Sequence, residues 1–154
     1  MPTKRPAAPP PAPSKPTALA APRRPERWSV DAGDAALATL VLPADAHRER
    51  RFEIACAMTV RVPAAPARSG QAMWHEMTVH ANGEQQWQRR VPTHAEPEDE
   101  GWDGLDVRFV RVVPVGRALK VVAKVAGAGV QRRSLVVEAD ELLPDPPSAP
   151  GPDA

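Results

Sequence analysis

His75 and Glu76 adjoin one another in the stretch AMWHEMTVHANGEQQWQRRVP. A histidine followed by a glutamate opens the zinc-protease motif HExxH, in which two imidazoles share one helix face. Here the fifth position is Val79, and the second histidine is His80. On a strand, His75 and His80 point to opposite faces, while Glu76 and His80 share a face about 13 Å apart at roughly 3.3 Å per residue. Neither pair can hold one ion. His47 and His94 have no partner at ligand spacing. The stretch EPEDEGWDGLD carries Glu96, Glu98, Asp99, Glu100, Asp103 and Asp106 around two glycines. Calcium takes such oxygen-rich composition, but the spacing matches no calcium loop, and the stretch reads as a solvated acidic loop. No metal and no cofactor are expected.

Nucleophilic chemistry is as poorly supplied. Ser14, Ser29, Ser69, Ser134 and Ser148 all lie outside a GxSxG elbow. The phosphate-cradling patterns GxxxxGK[ST] and GxGxxG are absent, and AGAG at 126–129 joins two apolar runs instead of preceding a helix. Cys56, the single cysteine, alternates with Phe52, Ile54 and Met58, the position of a small core residue. No catalytic residue is assigned, and the chain is not read as an enzyme.

The remaining chemistry is recognition. Trp74, Trp87, Arg89 and Arg90 cluster in one hairpin, and Trp102 stands in the acidic loop, where a wet indole is costly. Arginines at 89–90, 108, 111, 117 and 132–133, interleaved with Trp74 or Trp87, have the composition of a face on which bases stack and phosphates are tracked. The pattern VGRALKVVAKVAGAGVQRRSLVVEADEL, residues 115–142, resembles the closing strands of an OB-fold single-strand-binding domain. That resemblance implies an OB-type barrel and a nucleic-acid ligand, the first alternative. A carbohydrate-binding sandwich using Trp102 and the acidic loop is the second. The preferred reading is a protein-binding or assembly module, a structural or accessory subunit whose partners are other protein subunits, its own copies or different chains.

These residues need elements to position them. Leu105 to Ala139 reads as three apolar runs broken by VPVG and AGAG, the pattern of an antiparallel meander. RFEIACAMTVRVP puts Phe52, Ile54, Cys56, Met58, Val60 and Val62 on one face, as in a sandwich wall. Asn82-Gly83 supplies the two positive-φ residues of a type I′ turn. With that two-residue loop, Thr78 opposes Trp87, Glu76 opposes Arg89 and Trp74 opposes Val91, which places Trp74 and Trp87 together. RWSV and AALATLVLP add strands, a short helix being the other option for the second. Seven or eight strands over roughly 115 residues, with turns every 8–12, suggest an all-β antiparallel sandwich, Ig-like or jelly-roll-like.

The chain has 154 residues and 20 prolines, of which nine lie between Pro2 and Pro25 and five between Pro144 and Pro152. The expected organisation is a disordered basic arm at 1–26, a sandwich at 27–143 and a disordered acidic tail at 144–154. Residues 1–27 sum to +5 and residues 138–154 to −5, an asymmetry that suits solubility, head-to-tail attraction between subunits or a basic arm on an acidic partner. The N-terminal stretch has no apolar core of a secretory signal, and no run approaches the roughly 18 apolar residues of a membrane helix. A cytoplasmic, soluble protein without membrane contact is expected.

Overall fold

A computed structural model describes residues 2–11, 23–64, 72–94 and 101–145. Eight strands follow one another: β1 (Arg27–Asp31), β2 (Leu37–Leu42), β3 (Arg50–Val62), β4 (Trp74–Ala81), β5 (Glu84–Pro92), β6 (Gly101–Val113), β7 (Leu119–Ala128) and β8 (Gln131–Glu141). They form two antiparallel four-stranded sheets, one in the order β1-β8-β3-β6 and the other β2-β7-β4-β5. The expected sandwich is the architecture found. The sheets do not close into a barrel, so the OB-type alternative is not. Among the described residues no helix is long and apolar enough to cross a membrane.

The expected meander is corrected. The runs that suggested it form β6, β7 and β8, but none of the three pairs with another: β6 pairs with β3, β7 with β2 and β4, and β8 with β1 and β3. Alternation shows that each run is a half-buried strand, but neighbours in a sheet are set by pairing between distant segments. The turn at Pro114–Gly116 carries the chain from one sheet to the other, and so does the turn at Gly129. Among the described residues only β4 and β5 form a hairpin within one sheet.

Residues of one parity fill the space between the sheets. Phe52, Ile54, Cys56, Met58, Val60 and Val62 come from β3, and Leu119, Val121, Ala123 and Val125 from β7. Met77 and Val79 of β4, Leu40 and Leu42 of β2, and Leu135, Val137 and Ala139 of β8 complete the core, with Trp28 and Val30 packed against it. Each large side chain so buried contributes about 1.5–3 kcal/mol of apolar transfer. The last strand faces inward through its odd-numbered residues from Leu135 to Glu141.

The hairpin loop has the expected geometry, with Asn82 at φ 49° and Gly83 at φ 81°. Asn82 also ties the loop to the start of β7, accepting from the Lys120 amide at 2.8 Å. The expected register holds for two pairs, Ala81 with Glu84 and His80 with Gln85, and is overturned at the third. A bulge between Val79 and His80 makes Val79 face Trp87, Met77 face Arg89, Glu76 face Arg90 and Trp74 face Pro92. Gln86 is the extra residue, and the parity of β5 flips beyond it.

Residues 2–11 of the expected arm have neither helix nor strand and are exposed, while residues 12–22 and 146–154 lie outside the described residues. Residues 23–26 are joined to the sandwich. Glu141, with its side chain 3% exposed, accepts from the Glu26 amide at 3.0 Å and from the Arg23 guanidinium. Arg27 lies 3.3 Å from Asp140 and 3.8 Å from Glu138. At these positions the basic and acidic ends of the chain meet within one molecule.

Candidate functional site

The bulge in β5 and the length of β6 part the five recognition residues, four of them over three surfaces and Trp87 against the core. Trp74 and Arg90 lie on the outer face of the second sheet. The Arg90 guanidinium carbon sits 3.8 Å from the Trp74 ring centroid, and its Nε donates to Glu76 at 3.0 Å. Gln88 donates to the same carboxylate at 3.3 Å. Arg90 is thus held between an aromatic face and a carboxylate, with its charge countered. Trp87 turns the other way and packs against the core beside Val79. Arg89 falls on the open lateral side of the sandwich. The structure does not bring Trp74 and Trp87 together, and the expected Glu76–Arg89 pair is a Glu76–Arg90 pair.

Trp102 belongs to a strand and not to an acidic loop. β6 begins at Gly101 because β3 is thirteen residues long and pairs with it throughout, from Arg50 opposite Val113 to Val62 opposite Gly101. Asp103 and Asp106 are therefore strand residues; Glu96, Glu98, Asp99 and Glu100 lie outside the described residues. Trp102 is 67% exposed, and along the same outer row Val110 and Val112 are 42% and 48% exposed. The Arg133 guanidinium carbon approaches the Trp102 ring at 5.9 Å.

β6 and β5 border the same open side, β6 as the last strand of the first sheet and β5 as the last of the second. Among the described residues, each therefore has one row of backbone amides and carbonyls without a strand partner. Between them runs a groove of about 450 Å³, with Arg89, Val91, Pro92 and His94 on one wall and Asp103, Gly104, Leu105 and Asp106 on the other. Arg111 spans the two sheets further along, donating to Gln86 at 3.3 Å. Gly104 is required where it stands, because a β-carbon there would lie 2.4 Å from the Met58 carbonyl oxygen.

One polar set escaped the sequence reading. His75 is fully buried, with Nδ1 2.6 Å from the Thr93 hydroxyl and Nε2 3.9 Å from an Asp103 carboxylate oxygen. Thr93, His75 and Asp103 are the residue types of a hydrolytic triad, but the Thr93 side chain is buried too and offers no accessible nucleophile. No spacing signal connects residues 75, 93 and 103; only the pairing of β4 and β5 and the crossing to β6 assemble them. Among the described residues no group of three or more His, Cys, Asp or Glu side chains is placed to hold a metal ion.

No protein-family model matches the chain, and no curated protein matches it. Among solved structures it is similar to dimeric latent PorU from Porphyromonas gingivalis, at 15% identity and a TM-score of 0.40. The match covers 74% of this chain and 10% of that one, so the chain spans about a tenth of that protein's length. A likeness this distant carries no functional argument.

Proposed function

We propose that the chain is a non-enzymatic assembly module that binds other protein through the outer side of β6. One observation carries this reading: an exposed tryptophan stands in line with two exposed valines on an edge strand of thirteen residues. Apolar side chains beside unpaired backbone groups suit a polypeptide strand laid alongside, which supplies hydrogen bonds and covers the apolar row together. The basic-aromatic alternative draws less support, since Arg90 is countered by Glu76 and Trp87 faces inward. The single buried thiol accords with a cytoplasmic setting.

A photoreactive benzoylphenylalanine placed at Trp102, compared with one at Thr39 on the opposite sheet, tests the proposal in cells producing the full chain. Adducts that contain polypeptide and form from position 102 alone are the expected result. Adducts containing nucleic acid or glycan from that position would overturn it.

A further inference from the structure

We propose, resting on that reading, that the strand laid against β6 is β6 of a second copy of this chain, joined antiparallel about a two-fold axis through Val107. The inference comes from the order of residues on the strand, GWDGLDVRFVRVV. Val107 is its central residue. Reading outward, Asp106 is matched by Arg108, Leu105 by Phe109, Gly104 by Val110, Asp103 by Arg111, and Trp102 by Val112. An antiparallel pair related by a two-fold sets each of these residues directly opposite its match on the other copy.

Both faces of the joined sheet are then complementary. On the outer face Asp106 meets Arg108 twice, once on each side of the axis, and each exposed Trp102 lies against an exposed Val112. Aromatic with β-branched and acid with base are the cross-strand pairs that stabilise a sheet. On the inner face Val107 meets itself, Leu105 meets Phe109, and Asp103 meets Arg111. Leu105, Val107 and Phe109 are only partly buried against the core, and pairing would complete their cover. About a dozen backbone hydrogen bonds would form along the strand, and two four-stranded sheets would become one.

The same residues reject other registers. Sliding the copies by two residues places Asp106 opposite Asp106 in one direction and Arg108 opposite Arg108 in the other. Inward-pointing charges near a sheet edge ordinarily discourage pairing with foreign strands. Here Asp103 and Arg111 do so for every partner except one that presents them in reverse. Asp106 has no ion pair of its own among the described residues, and Arg108, which donates to Glu53 at 3.1 Å within its own chain, would be shared between that carboxylate and the second copy's Asp106.

Charge exchange tests this on the full chain by analytical ultracentrifugation. The unaltered protein is expected to sediment as a concentration-dependent dimer. Asp106→Arg sets two arginine pairs across the axis and should raise the dissociation constant about tenfold or more. Adding Arg108→Asp restores opposite charges and is expected to restore the dimer. Asp106 is exposed, and circular dichroism confirms that each variant is folded. A wild-type monomer throughout the micromolar range overturns the proposal while leaving a hetero-partner for the same edge. A dimer indifferent to Asp106→Arg, or a double variant that stays monomeric, overturns it as well. The register has its own check: Val107→Cys in a Cys56→Ala background should oxidise to a covalent dimer, because residue 107 alone faces itself within disulfide reach. The background change is needed because Cys56 is the in-chain partner of residue 107.

Discussion

Arg50 donates to Glu26 at 2.8 Å from a side chain only 2% exposed, joining the first residue of β3 to the segment that leads into β1. The same guanidinium donates to the Pro43 carbonyl and lies 5.4 Å from the Phe52 ring. Arg48 stands 3.7 Å from Glu26, 3.8 Å from Glu141 and 2.9 Å from Asp45. Charges this buried are tolerated because each has a partner, and removing one partner leaves the others stranded. Glu141→Leu is therefore expected to lower unfolding free energy by about 3 kcal/mol or more. Asp140→Leu, one residue away on the outer face with only a surface pair to Arg27, should cost less than about 1 kcal/mol. Urea unfolding of the two variants checks the contrast, and equal losses would place the cluster outside the stability of the fold.

The bulge at Gln86 gives the hairpin tryptophans different roles. Trp87 packs on the core, so Trp87→Ala should cost about 2–3 kcal/mol, somewhat less than a fully buried tryptophan. Trp74 lies outside and is held by Arg90, so Trp74→Ala should cost about 1 kcal/mol or less. The register expected without the bulge would give the two changes similar costs, so a pair of thermal melts separates the cases.

The parts legible in the sequence are those where a local rule is strong. Phe52 to Val62 alternates over eleven residues, enough to fix which face is buried, and Asn82-Gly83 has the one dipeptide chemistry that its turn needs. The bulge was not legible because EQQWQRR has no apolar alternation to mark the extra residue. Trp102 read as a loop residue because glycines and carboxylates surround it; a thirteen-residue partner strand, rather than its neighbours in sequence, makes it β. The Arg23–Glu26–Arg50–Glu141 cluster and the His75–Thr93–Asp103 set join residues that meet only once both sheets are assembled. A separate case is the symmetry of β6 about Val107, present in the sequence throughout, which acquires meaning only when the structure shows β6 to be an edge.

His75 and Thr93 form a buried pair whose loss should be asymmetric. Thr93→Val removes the hydroxyl and leaves His75 Nδ1 buried without a partner, at an expected cost of about 1–3 kcal/mol. His75→Leu together with Thr93→Val removes both polar groups and should recover much of that loss, since neither is then left unsatisfied. A double-mutant cycle by chemical denaturation measures the coupling. If the double variant is less stable than the single by the full cost of a second core change, the pair has no coupling.

Burial pushes the Cys56 thiol up to about 12 from an ordinary 9.0. The folded chain thus keeps a proton that the unfolded chain gives up as pH rises through 9. A raised folded value means the contribution is fully present below pH 9 and is lost between pH 9 and 12, at about 1.4 kcal/mol per pH unit. Cys56→Ala lacks this term, so its stability relative to the wild type should improve steadily above pH 9 while the gap below pH 9 stays constant. Native protein is expected to resist a thiol reagent at pH 8 and to react at once in denaturant, because thiolate and access are both withheld by the core. A stability gap that does not change between pH 8 and 10.5, or rapid labelling of the folded protein, would place Cys56 outside the buried row of β3.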